Sequence, residues 1–323
     1  CEIAVLGIGQ KILDLGEAVD IVFWPVALDF KYKDVEAMPD ESIDLCLFNG
    51  AIRTSEQEEM ACLLRAKSKV LVAFGACAQL GGIPGLGNFH DRQEIFDRAY
   101  LETPSTDNPD GTMPQTLTET PAGKLELPVF FNTVKTLAQT VEVDYFVPGC
   151  PPEANRIWEV LQAVLTGNLP APGSVVGAFD KTCCDECERE RKEKKITHIY
   201  RPHEIESDPE QCLLDQGIIC MGPATRAGCG AKCLTANMPC RGCYGPPANV
   251  MDQGAKMLSA VASVIDSEDP ETIQEVIDQI KDPAGTFYRF GLAHSLLRRR
   301  YRPVDESGHT TPASEAVWVE AKR

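Results

Sequence analysis

The stretch Val70–Cys77 (VLVAFGAC) decides the fold class. A short apolar run that ends on a glycine has the length and composition of a strand buried on both faces, and such strands belong to parallel sheets. Residues 143–150 (VDYFVPGC) repeat the arrangement. Ile43–Phe48 (IDLCLF) and Ile21–Trp24 (IVFW) read as two further strands. Between the strands at 43–48 and 70–74, a helix is expected from the capping box of Ser55 and Glu58, continuing through Met60, Leu63 and Leu64 at helical spacing. A second helix is predicted over Phe131–Val141, with Val134, Leu137 and Val141 on one face. A third is predicted over Glu153–Thr166, with Ile157, Val160, Leu161, Val164 and Leu165 as its stripe and Gly167 as its stop. Strand–helix alternation of this kind implies an α/β fold, a flavodoxin-like doubly wound parallel sheet over residues 1–168.

Leu169–Gly173 (LPAPG) reads as a linker. Beyond it, residues 169–303 are expected to form a cysteine-rich, largely irregular and helical domain. Two helices stand out there, over about Asp252–Ile265 and from Asp269-Pro270 onward. Residues 304–323 form a polar C-terminal tail. Residues 85–127, rich in Pro, Asp, Thr and Gly, read as a long irregular insertion that carries His90 as a surface residue.

Of the fourteen cysteines, nine fall between Cys183 and Cys243. That stretch is punctuated by Gly and Pro and has few large apolar residues, so burial alone does not hold it. Disulfides are disfavoured because a chain of 323 residues needs no staples. The sequence also has no secretory h-region or Arg-rich transit segment, and a reducing, cytoplasmic compartment is expected. Zinc is the serious alternative, since Cys184-x-x-Cys187 and Cys240-x-x-Cys243 are knuckles of the ribbon type. A ribbon uses four thiolates, however, and more lie between the knuckles; the count favours iron–sulfur clusters.

Cys77 and Cys150 both lie just beyond the carboxyl ends of parallel strands, where open α/β sheets place their ligands. Gly75 and Gly149 allow the backbone to approach a bulky group, and Pro148, Pro151 and Pro152 fix the second loop. Cys46, inside a strand, and Cys62, within a helix, are expected in the core. Cys1 is followed by a helix-like apolar run. A site built from Cys1, Cys77 and Cys150 lacks one thiolate, which points to a cysteine upstream of residue 1. The Gly7-x-Gly9 pair lacks the third glycine of a dinucleotide fingerprint.

The net charge of −17 argues against nucleic acid and anionic membrane surfaces as partners, and no apolar run reaches the ~20 residues of a membrane span. The basic stretch Arg189–Lys195 (RERKEKK) reads as a solvated helix face. No Ser/His/Asp or Cys/His arrangement is convincing as a nucleophile.

The ordered set Gly-Ala-Cys77, Pro-Gly-Cys150-Pro-Pro, Cys184-x-x-Cys187, Gln211–Pro223 (QCLLDQGIICMGP) and Pro239–Cys243 (PCRGC) resembles the small, electron-transfer subunit of NiFe hydrogenases over nearly the whole chain. The absence of an export signal and the all-cysteine sets are most similar to the cytoplasmic methyl-viologen-reducing type, associated in methanogens with heterodisulfide reductase. The resemblance implies three 4Fe–4S clusters. The proximal cluster would use Cys1, Cys77 and Cys150; the medial, Cys229, Cys233, Cys240 and Cys243; the distal, Cys184, Cys187, Cys212 and Cys220. Exported relatives have His at the position of Cys184. Cys183 is then spare, and the adjacent pair leaves the reverse choice open. The resemblance further implies that the NiFe centre lies in a separate large subunit and that an acceptor subunit, an iron–sulfur adaptor or a flavoprotein, docks at the distal cluster. The competing readings are a complex I-type or membrane-hydrogenase subunit, which would share the Cys77/Cys150 site but lack the later cysteines, and a zinc-stabilised interaction scaffold.

Overall fold

The computed structural model describes residues 1–29, 31–192 and 195–299; the tail at 304–323 lies outside the described residues. Helices α1 (Glu2–Leu6) and α2 (Lys11–Ala18) open the chain, and α3 (Tyr32–Glu36) precedes β1 (Ile43–Phe48). Strand β2 (Ile52–Thr54) runs into α4 (Ser55–Lys67), and β3 (Ser68–Phe74) into α5 (Ala76–Leu80). Then come α6 (Arg92–Asp97), the hairpin of β4 (Leu117–Thr120) and β5 (Gly123–Glu126), β6 (Phe130–Lys135), β7 (Tyr145–Val147) and α7 (Ala154–Leu165). The cysteine-rich half has short elements joined by turns: β8 (Phe179–Thr182), β9 (Arg226–Ala227), α8 (Lys232–Thr235), α9 (Gln253–Ala262), α10 (Pro270–Ile277) and α11 (Pro283–Phe287).

The central sheet is parallel, in the order β1-β3-β7, with Leu45 opposite Val70 and Val72 opposite Tyr145. Its middle strand is buried on both faces, as a continuous apolar run demands. Val72 and Phe74 pack with Val5, Leu15, Ile157 and Leu161 under α1, α2 and α7. Leu71 and Ala73 point the other way, to Val35, Ala61 and Leu64 of α3 and α4. Alternation of side chains along one strand thus builds two cores, one on each face of a mixed α/β unit. Leu71, Ala73 and Val147 are fully buried, each large side chain contributing about 1.5–3 kcal/mol. A third core lies wholly within residues 183–287, around Leu213, Leu214, Ile218, Met257 and Phe287.

Helix starts matched local signals. Asp252 caps α9 through Ala255 N–H, and Asp269 caps α10 through Thr272 N–H, with Pro270 at its first position. The α4 cap lies one residue upstream of the expected Ser55: Thr54 accepts from Gln57 N–H while Gln57 reaches back to the Thr54 N–H. Both pairs fit the same pattern, and the strand β2 decides between them.

Several expectations fail. Ile21–Trp24 forms no ladder among the described residues. Its side chains still alternate, Phe23 towards the α4 face and Trp24 towards the α7 face, so the period was real but the backbone pairing was not. Phe131–Val141 is not a helix. It is β6, antiparallel to β2, followed by a turn at Leu137–Gln139. Val134 and Leu137 are buried as the helical reading required, but Asn88 claims both polar groups of Val134 and Thr136 caps the turn. The 85–127 segment holds α6 and a hairpin rather than irregular chain alone. Cys62 is exposed on α4 and not in the core. Arg189–Lys192 is not helical and Arg189 is buried, while Glu193 and Lys194 lie outside the described residues.

Candidate metal centres

The first group of thiols forms at the carboxyl ends of β3 and β7. Gly75, at φ +88°, turns the chain from β3 into α5 and places Cys77 at the helix start. Its N–H bonds to Val147 O, and Ala76 N–H bonds to Gly149 O, both at 2.7 Å, which ties the two strand-end loops together. Cys1, the N-cap of α1, enters the same space: a Cβ on Gly75 would overlap the Cys1 Sγ. A Cβ on Gly82 would fall 2.5 Å from the Cys77 Sγ. Burial, and then the neighbouring Cys150, push the Cys77 thiol up. Cys1, Cys77 and Cys150 are therefore gathered as the strand-end placement required.

The second group lines a cavity of ≈ 400 Å³, partly open to solvent, in the cysteine-rich half. Cys184, Cys187, Cys212 and Cys220 all face it, with Arg189 and Arg191. Thr182 caps a turn over Cys183–Glu186 through Asp185, which presents Cys184. A parallel bridge, with Cys212 N–H on Glu190 O and Glu190 N–H on Glu210 O, brings Cys212 alongside the loop of Cys187. Gly222 lies close against both the Cys184 and Cys220 sulfurs. Burial pushes the Cys184 thiol up to about 11 and the Cys220 thiol up to about 12.

The third group comprises Cys229, Cys240 and Cys243, with Cys233 more exposed beside them. Cys183, spare in the sequence reading, belongs here. Its thiol hydrogen-bonds to Cys229 and Cys240, which holds its own proton tightly and pulls Cys229 down to about 7. On the tight turn at 183–186, adjacent side chains diverge, so Cys183 and Cys184 serve different groups. The sequence showed only that the pair was adjacent; divergence at a tight turn was the signal that could have separated them. Glu186, on the same turn, accepts from Gly228 and Gly230 N–H with its two oxygens, both at 3.0 Å. It thereby clamps the loop on either side of Cys229, and its carboxylate lies within 4.8 Å of the Cys183 and Cys229 sulfurs.

The three groups touch. The backbone N–H of Cys150 donates to the Cys243 sulfur, which burial pushes up to about 12. Cys240 N–H donates to the Cys220 sulfur at 3.3 Å. A line of thiols therefore runs from the strand ends through the third group to the cavity. Cys46 packs within β1, its thiol raised to about 11 by burial, and His90 is exposed beside Glu94.

The donor set fits a soft metal. The cavity is lined by thiols without a carboxylate or imidazole, and thiols pushed up by burial give up their protons only to a cation. Glycines stand where any Cβ would crowd Cys1, Cys77 or Cys184. No helix among the described residues is long and apolar enough to cross a membrane.

Residues 1–164 match the family described as NADH ubiquinone oxidoreductase, 20 Kd subunit. The chain is 41% identical to the iron-sulfur subunit of the F420-non-reducing hydrogenase of Archaeoglobus profundus, over 93% of this chain and 94% of that one. It is 37% identical to the corresponding F420-non-reducing hydrogenase subunit of Methanothermobacter thermautotrophicus, over 92% of both. The Sulfhydrogenase 2 subunit delta of Pyrococcus furiosus is 27% identical over 76% of this chain and 81% of its own. These hydrogenase likenesses run on through the cysteine-rich half, past the end of the family match. The chain belongs to the NADH ubiquinone oxidoreductase 20 Kd subunit family and, within it, to the small subunits of NiFe hydrogenases, as part of an oxidoreductase that acts on hydrogen.

Proposed function

We propose that this chain relays electrons between the NiFe centre of a large subunit and an acceptor subunit, through three 4Fe–4S clusters, in the cytoplasm. Cys1, Cys77 and Cys150 would hold the proximal cluster. Cys229, Cys233, Cys240 and Cys243 would hold the medial one, with Cys183 as a neighbouring thiol. Cys184, Cys187, Cys212 and Cys220 would hold the distal one. Bound clusters would supply reversible one-electron chemistry. The chain's own part is to space them, exclude water and direct N–H groups at sulfur.

The observation that carries this reading is contact between the groups: Cys150 N–H on the Cys243 sulfur, and Cys240 N–H on the Cys220 sulfur. A relay needs its stations adjacent, whereas a zinc-stabilised scaffold does not. Exposed Ile3, Leu6 and Ile83 flank the strand-end group and offer an apolar face to the large subunit. Arg191, exposed at the mouth of the distal cavity and bonded to Cys184 O, offers a charged one to an acceptor, an iron–sulfur adaptor or flavoprotein such as a heterodisulfide reductase complex would provide. The test is metal content and spectroscopy of the complex isolated without oxygen. About twelve irons in this chain are expected, about four per cluster, with absorption that bleaches on reduction. A colourless chain carrying zinc would overturn the proposal.

The clamp of Glu186 gives a narrower test. In Glu186→Gln one of Gly228 and Gly230 N–H meets an amide NH2 instead of an oxygen. Iron retention at the medial site under chelator challenge should fall about 10–100-fold, as for loss of other supporting partners of a metal site. The distal site should keep its iron.

A further inference from the structure

Arg189 is 8% exposed and lines the cavity that Cys184, Cys187, Cys212 and Cys220 surround. Its Nη1 donates to Asp208 O and Gln211 O at 2.9 and 3.0 Å, and its Nη2 to Leu234 O and Asn237 Oδ1 at 2.8 and 2.7 Å. These bonds fix the guanidinium completely, yet its Nε is buried with no hydrogen-bond partner. Each acceptor is neutral, and among the described residues no carboxylate pairs with Arg189. A buried N–H without an acceptor and a buried cation without an anion are both costly, and a native fold keeps them where something else supplies what is missing. An anionic group bearing sulfur acceptors in the adjoining cavity supplies both at once.

We propose that Arg189 Nε–H is a donor reserved for a sulfur of the distal cluster, and that its charge sets that cluster's potential. The inference rests on the distal site assigned above. Arg189 is then a positioning and tuning residue rather than a ligand. A cation and an N–H beside the cluster stabilise the more negative, reduced state, so the arginine raises the potential. Arg191 differs: it is exposed and its terminal nitrogen is spent on the Cys184 carbonyl.

The test uses the intact complex, purified anaerobically with its iron. In wild-type protein labelled with 15N at arginine Nε, pulsed EPR of the reduced distal cluster should show coupling to an arginine nitrogen, and Arg189→Lys should abolish it. In Arg189→Met the ratio of reduced to oxidised distal cluster at a fixed ambient potential should fall about tenfold, equivalent to about 59 mV for one electron. The other two clusters should not move. Arg189→Lys, which keeps the charge, should shift less than Arg189→Met. Absence of the arginine coupling in a fully loaded wild-type complex overturns the proposal, as does an unchanged potential in an Arg189→Met protein that retains its iron. Should Arg189→Met lose its iron by local unfolding, the labelled wild type and Arg189→Lys decide. If the wild-type chain holds only about eight irons, with none at these four cysteines, the distal-site reading itself has failed.

Discussion

Gly82→Ala should strip iron from the strand-end site and stop electron exchange with the hydrogen-activating partner, while the sheet stays folded. Gly82 sits at φ +60° and ψ −160°, a conformation essentially confined to glycine and costing other residues about 1–3 kcal/mol. The added Cβ would lie 2.5 Å from the Cys77 Sγ and 2.9 Å from the Cys77 Cα. Neither contact is relieved by rotating a flexible side chain, because α5 and the Gly81 N–H bond to Cys77 O hold that backbone. Cys77 must therefore move, and a thiolate displaced from a three-sulfur array breaks the site. Iron content should fall by about four atoms, and hydrogen-dependent reduction of a dye should vanish with it. Gly16→Ala, where no heavy atom lies within 4 Å of the added Cβ, is the control for a merely added methyl group. Full iron and activity in Gly82→Ala would mean that Cys77 does not serve the cluster.

How much of this was legible in the sequence follows from how local each signal is. Helices α7, α9 and α10 were readable because a cap, an apolar stripe and a stop fall within one short segment. Strands β1 and β3 were readable because a strand buried on both faces must be apolar throughout. Ile21–Trp24 has the same composition, but a ladder needs a neighbour in register, and nothing in the segment itself reports one. Val134, Leu137 and Val141 fit a helical period that a strand followed by a turn also satisfies. The decisive claim came from Asn88, forty-six residues away in sequence. The thiol groups were legible as spacing and as strand-end placement. The partition of Cys183 from Cys184 was not, because it depends on opposed side-chain directions at one turn. Arg189 was misread for the opposite reason. Charge runs are normally solvated, and only the tertiary acceptors at Asp208, Gln211, Leu234 and Asn237 make burial tolerable.

Cys220→Ser separates the two ends of the proposed relay. Cys220 is 6% exposed, faces the distal cavity and receives the Cys240 N–H on its sulfur. Serine is shorter and a harder, less readily ionised donor, so it suits iron in a sulfur-rich site poorly. It also leaves that Cys240 N–H with a more distant acceptor in a buried place. The fold has reason to survive, since Leu213, Leu214 and Ile218 around it stay packed. Electron delivery to the acceptor should fall about 100-fold or more, beyond the range for loss of a supporting partner of a metal site. Hydrogen–deuterium exchange, which needs only the large subunit's centre, should be largely unchanged. The asymmetry is the point of the measurement: damage at the outermost station blocks exit from the relay without touching the chemistry at its far end. Equal loss of both activities would place Cys220 next to the large subunit and reverse the order of the stations.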